Sequence, residues 1–357
     1  MLGVREGKLV LLTFALFVLG AIFVYSSSFP LSVKYHGHGF HYLVRQLLGA
    51  VMGMVLFFVF WIGGVRRWGE LSPFLLFASF AGVLLSLVPG IGVGGRWVSL
   101  GPLTFQPSEF GKIALLFYLA RRLSEREPVD FQADILPCLV ILAGFGLVFL
   151  LQPDFGMFLL YGALTFFTLW VAGARTGHLL SVGAAGLPLA GMLLVLAPYR
   201  LGRILAFIDP EAYRHSYGYQ VYQALVALGS GGVLGRGLGA SRAKFFYLPS
   251  AHNDFVFAVV GEEIGLVGGL LVIVLFVALV LLGYRIAASA RQEFGTFVAA
   301  GASFLLGFQA LLNLGVVVGV FPVTGLTLPF ISYGGSSIAV SLGLVGAMLG
   351  VEREARE

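Results

Sequence analysis

Tyr247-Leu248-Pro249-Ser250-Ala251-His252-Asn253-Asp254 ends a polar stretch, and the next residue, Phe255, begins an apolar run that continues to Gly283. An α-helix needs roughly 20 apolar residues to cross about 30 Å of hydrocarbon, and this run is long enough. Asp254 therefore stands at the mouth of a membrane helix. The polar stretch before it, Tyr199–Asp254, covers 56 residues in a chain whose other connections are short. Loops of that length inside a compact fold are usually functional.

Composition carries this reading to the whole chain. Of 357 residues, 59% are apolar and 11% charged, and the mean hydropathy is +0.96; soluble domains carry roughly 25% charged residues. The expected fold class is an all-α integral membrane protein, one polytopic domain over 1–357 with a single large extracytoplasmic loop. Apolar runs of spanning length fall at about 8–27, 42–63, 71–89, 106–122, 134–151, 154–173, 177–198, 255–283, 295–320 and 328–350, which makes ten helices. The first follows Arg5 and Lys8 like a signal peptide, but it is too long and lacks a small-residue cleavage pattern, so it is expected to stay as an anchor. Fifty glycines suit helices that pack closely in lipid. The lone Cys138 excludes an internal disulfide.

Orientation follows from Lys and Arg. With a cytoplasmic N-terminus, the inner segments hold Arg5, Lys8, Arg66, Arg67, Arg121, Arg122, Arg126, Arg175, Arg285, Arg291, Arg353 and Arg356, and the short outer connections hold only Lys34, Arg45 and Arg96. This is the positive-inside pattern. The long loop then lies outside with Arg200, Arg203, Arg214, Arg236, Arg242 and Lys244, and both termini lie inside. The unusual residues gather at the outer ends, where ATP and nicotinamide cofactors are absent. No nucleotide and no nucleic-acid partner is expected.

Four stretches there could carry chemistry. In Gln106-Pro107-Ser108-Glu109-Phe110-Gly111-Lys112, proline suits the first helical position, Glu109 favours the positive helix end, and Lys112 shares its face. The two either satisfy one another or form a polar floor beneath a substrate cavity. Asp154, in Gln152-Pro153-Asp154, is a helix N-cap or a carboxylate facing substrate or metal. Gly229–Gly239 repeats a Gly-x-Gly-x-x-Gly spacing with no strand before it, so it is no dinucleotide motif. It is either a packing loop or an anion nest, with Arg236, Arg242 and Lys244 as cations for a pyrophosphate. Asp254 is an N-cap or the reacting group; Glu262 and Glu263, eight and nine residues on, lie roughly 12 Å deeper and cannot pair with it.

Together these residues carry a resemblance. Arg96-Trp97, Gln106-Pro107-Ser108-Glu109 with Lys112, Gln152-Pro153-Asp154, Tyr219-Gln220, Gly229–Gly239, Tyr247-Leu248-Pro249 with His252 and Asp254-Phe255, Gly261-Glu262-Glu263, Asn313, Pro322-Val323-Thr324-Gly325 and Pro329–Ser337 resemble the SEDS family (shape, elongation, division and sporulation), its elongation branch most. The likeness runs from the fourth span to the last. Ser250 departs from it where the family usually has Glu, and Met157 where it usually has Thr. The resemblance implies a peptidoglycan glycosyltransferase that polymerises lipid II during elongation, releases undecaprenyl pyrophosphate, and works with a class B penicillin-binding protein in the bacterial plasma membrane. It implies Asp254 as the essential group, Glu109 and Lys112 as important, and stimulation by a divalent cation, Mg or Mn, with Asp254 the candidate ligand. Arg96, Arg200, Arg203, Arg236, Lys244, Asp154 and His252 are expected to bind or support substrate. Partial desolvation would raise the Asp254 pKa toward that of a working base. A flippase for the same lipid-linked precursor, or a non-catalytic scaffold, fits ten spans as well; the absence of an internal repeat and the one-sided polar residues speak against the first, and Asp254 is unexplained by the second.

Overall fold

The computed structural model describes residues 3–101, 103–125, 128–195 and 198–356, and the side chains of 100, 103, 187, 189–195 and 198–200 are outside that description. Twelve α-helices are described: α1 (Val4–His36), α2 (His41–Gly63), α3 (Val65–Leu85), α4 (Pro107–Ser124), α5 (Leu136–Leu151, preceded by a π-helical turn at Phe131–Ile135), α6 (Phe155–Val171), α7 (Thr176–Val195), α8 (Pro198–Ile208), α9 (Tyr219–Gly231), α10 (Val256–Ala288), α11 (Glu293–Val317) and α12 (Gly335–Glu354). Ten of them coincide with the ten expected spans. Among the described residues seven are long and apolar enough to cross a membrane. Of the other three, α4 carries Glu109, Lys112, Arg121 and Arg122, α6 has 17 residues, and α7 is described only in part.

Contacts sort the helix ends into two groups. At one end Arg356 meets Glu6 and Glu352, and Arg5 donates to Ser289, which joins α1, α12 and the turn after α10. At the other, Gln46 of α2 donates to Ser332 O, and Gln152 after α5 donates to Ser86 Oγ after α3. Both groupings match the expected alternation of spans. Arg126, counted among the inner cations, lies outside the described residues.

The core sits around α12, which is buried along nearly its whole length. Small residues bring α2 against it: a Cβ on Gly49 would come within 2.5 Å of Gly335, and one on Gly346 within 2.4 Å of the Phe57 carbonyl. Lipid offers no hydrophobic drive between helices, so such close backbone contact carries the association.

Four features differ from the expectation. The long loop is partly helical, holding α8 and α9. A three-stranded antiparallel sheet, β1 (Gly92–Val93), β2 (Trp97–Leu100) and β3 (Leu103–Phe105), fills the α3–α4 connection, with Val93 opposite Trp97 and Val98 opposite Phe105. The last span starts at Gly335 rather than 328, because residues 322–334 run as an irregular strap. Helix α10 is broken at Gly265, whose φ of 67° and ψ of −166° are non-helical.

Candidate functional site

The glycine-rich stretch is built into the break in α10. Arg236 and Gly237 donate their amides to the carbonyls of Glu262 and Glu263, and Leu266 and Val267 donate to Gly232 and Val233. A Cβ at Gly265 would lie 2.3 Å from Gly235 N. The side chains of Glu262 and Glu263 complete the anchor. Glu263 pairs with Lys244 at 2.8 Å and accepts from Ser26 Oγ at 2.7 Å and Gly239 N at 2.9 Å. Glu262 accepts from Ser241 Oγ at 2.6 Å and from the amides of Arg242 and Ala243 at 3.0 and 3.1 Å. Lys244 is buried, and Arg236 reaches Glu262 at 3.6 Å and the Ser230 carbonyl at 3.1 Å. Two of the three cations expected for a pyrophosphate, Arg236 and Lys244, thus hold the loop, which favours the packing reading over the nest.

Asp254 lies in the turn that leads into α10. Ser250, at φ 56°, opens the turn, and its carbonyl accepts from Asn253 N at 2.9 Å. Three successive carbonyls are then held: His252 O by Tyr333 N at 2.9 Å, Asn253 O by Ser332 Oγ at 2.7 Å, and Asp254 O by Asn313 Nδ2 at 2.8 Å. The N-cap position belongs to Phe255, with no side-chain cap. Among the described residues the Asp254 carboxylate accepts no hydrogen bond and forms no ion pair. Burial pushes its pKa up to about 6; Arg96 and Arg203 oppose the rise and Asp154 adds to it.

Asp154 does cap: its Oδ1 accepts from Met157 N at 3.2 Å, and Oδ2 lies 3.7 Å from Arg96 Nε. Arg96, brought over by the small sheet, also donates to the carbonyls of Gln152, at 3.1 Å, and Pro153. Arg203 of α8 donates to Val323 O at 3.4 Å in the strap. Arg200 is in α8, but its side chain lies outside the described residues. His252 packs its ring on Tyr42 and Tyr333, with centroids at 4.9 and 5.7 Å, and burial lowers its pKa to about 4. It is therefore neutral at pH 7 and adds no cation.

Beneath the site, Lys112 and Glu109 pair at 2.6 Å, each side chain 3% exposed. Lys112 Nζ also donates to Gln309 Oε1 at 2.7 Å. Of the two alternatives read from sequence, the pair satisfying itself is met. Sequence reasoning missed Gln309 and gave Asn313 no role; two amide side chains four residues apart in an apolar helix were the available signal.

Among the described residues no group of three or more His, Cys, Asp and Glu is placed to hold a metal ion. The unpartnered Asp254 carboxylate suits a magnesium-type cation, which binds through one or two carboxylates, water and substrate phosphates. Two grooves of about 340 and 450 Å³ lie at the opposite end of the bundle, lined by Arg66 with Arg121 and by Arg66, Arg67 and Arg353, and neither includes Asp254.

These features define a polytopic membrane protein in which the Asp254 carboxylate, without a partner among the described residues, lies near Arg96 and Arg203 at one end of the bundle. The chain matches the family model described as cell cycle protein (FtsW, RodA, SpoVE) over residues 7–357. It belongs to this family, the SEDS proteins. It is 39% identical to stage V sporulation protein E of Bacillus subtilis (strain 168) over 98% of this chain and 97% of that one. It is likewise 39% identical to a probable peptidoglycan glycosyltransferase FtsW of Geobacter sulfurreducens, over 96% and 94% of the two chains. Among solved structures it is similar to a chain of a peptidoglycan synthase complex, with TM-score 0.79, 32% identity and 98% coverage of both chains. The rod shape determining protein RodA of Thermus thermophilus gives TM-score 0.71 and 31% identity over 98% of this chain and 97% of that one.

Proposed function

We propose that the chain is a peptidoglycan glycosyltransferase that polymerises lipid II at the extracytoplasmic face of the plasma membrane, both termini being cytoplasmic, with Asp254 as general base. The observation that carries this reading is the contrast between two aspartates: Asp154 is spent on a cap and an arginine, whereas among the described residues Asp254 has neither. The acceptor sugar hydroxyl gives its proton to Asp254 as its oxygen bonds to the anomeric carbon of the donor. The bond from that carbon to the pyrophosphate oxygen breaks, and undecaprenyl pyrophosphate leaves. A positioned base contributes roughly 10²–10⁴-fold. Arg96 and Arg203, both close enough to act on the Asp254 charge, stabilise the departing pyrophosphate, and a divalent cation held by Asp254 and the phosphates would add Lewis-acid stabilisation. His252 supports the turn through its aromatic contacts.

The partner is a class B penicillin-binding protein, a reading supported by the likeness to a synthase complex in which polymerization and crosslinking are coordinated. A relative named for sporulation and others named peptidoglycan glycosyltransferase stand beside RodA, so the role carried forward is cell-wall synthesis in general. The test is polymerisation of purified lipid II by the purified protein with its partner. Glycan chains are expected; lipid movement across vesicles without chain growth would make the protein a flippase, and no activity of either kind a scaffold.

A further inference from the structure

Among the described residues nothing holds the oxygens of Asp254, so their direction is set by the backbone that carries them. That backbone is fixed at the reacting residue itself by one amide group. Asn313 Nδ2 donates to Asp254 O at 2.8 Å and to Leu326 O at 2.7 Å. The second bond reaches the strap that forms the wall opposite the carboxylate: a Cβ on Gly325 would lie 3.8 Å from Asp254 Oδ2.

One helical turn earlier, Gln309 repeats the device. Its Nε2 donates to Thr327 O at 2.9 Å and to Thr327 Oγ1 at 3.2 Å, while its Oε1 accepts from Lys112. Residues four apart share a helix face, so α11 stitches successive strap carbonyls to Asp254 on one side and to the Lys112–Glu109 pair on the other. Both amides are buried, Asn313 at 1% and Gln309 at 3% exposure. A buried amide deprived of its partners is costly, so this arrangement resists slippage. The strap itself has no helix or strand to hold it.

We propose that Asn313 is a positioning residue for the transfer reaction: it fixes the gap between the Asp254 carboxylate and the strap, with Gln309 tying the same strap to Lys112. The proposal rests on Asp254 as base. Asn313 touches no reacting atom, and its effect is on geometry; a misplacement on the order of 1 Å costs about 100-fold in rate.

The experiment compares the parent with Asn313→Ala and the near-isosteric Asn313→Leu, each purified with the partner and assayed on lipid II across pH. The expected result is a fall in kcat of about 10–100-fold with KM almost unchanged and the acid limb of the rate profile displaced from its parent position, while the apparent Tm of Asn313→Leu stays near the parent's. Retention of kcat by both variants overturns the proposal. So does loss of folded protein in both, or a fall in kcat that tracks Tm with the acid limb in place, because each makes Asn313 merely structural. Asp254→Asn is run in parallel: if it polymerises, the base assignment fails; if it is inactive while the Asn313 variants keep kcat, only the positioning role fails.

Discussion

Asp154 and Asp254 start from the same local sequence, an aspartate directly before phenylalanine at the head of an apolar helix, and reach opposite states. Asp154 accepts from Met157 N and faces Arg96, so its charge is used. Asp254 is displaced from the cap by one residue, and burial raises its pKa to about 6. Sequence left both roles open for both residues, because whether an aspartate caps depends on one step of register that periodicity does not resolve. A base must be ionised, so polymerisation should rise as pH passes about 6 and be roughly tenfold slower at pH 5 than at pH 7; a flat profile over that range would contradict the assignment. A carboxyl whose folded pKa is raised favours the protonated fold. Its destabilising effect is absent below the unfolded value of about 3.9, develops between there and about 6, and is complete above. Asp254→Asn should therefore melt at a higher temperature than the parent at pH 7.5 and show little gain at pH 4, as thermal unfolding in detergent would reveal.

Helix α10 follows the proposed base, and its short first half, up to Gly265, is held from the side. The break at Gly265 was invisible to hydropathy, since Ile264-Gly265-Leu266 sits inside an unbroken apolar run. Non-helical backbone at membrane depth is tolerated where protein buries it, and here the glycine-rich loop does so, with Glu262 and Glu263 receiving its amides. The two glutamates were legible as unable to reach Asp254, but their role needed partners 19 or more residues away in the chain. Gly265→Ala should destabilise by about 2 kcal/mol or more, because the position needs a left-handed φ and the added carbon meets Gly235 N; unchanged resistance to heat would count against the break. The Glu109–Lys112 pair, by contrast, followed from a three-residue spacing on one helix. Lys112→Ala should cost about 3–5 kcal/mol, since it strands a buried carboxylate, and equal stability of variant and parent in a denaturation series would show that the pair contributes nothing to the fold.

Across the whole molecule, the ten helices read as spans were legible because lipid imposes length and apolarity on crossing helices, and seven of them among the described residues are long and apolar enough to cross. The strap at 322–334 and the small sheet were not, since each is too short to show a period and is fixed by contacts with distant helices. The native Cys138 is buried, so a single added thiol reports topology cleanly. A cysteine in place of Leu234, which is 80% exposed, should react with an impermeant reagent added outside intact cells, and one in place of the exposed Arg67 should not. The reverse pattern would invert the orientation and put the site in the cytoplasm. The central claim is that Asp254 takes the proton of the acceptor hydroxyl, and the most direct measurement is lipid II polymerisation by Asp254→Asn bound to its penicillin-binding partner. The account predicts a variant that folds, inserts and binds the partner as the parent does but makes no glycan; glycan made at a rate near the parent's would contradict it and send the search for the base to Asp154.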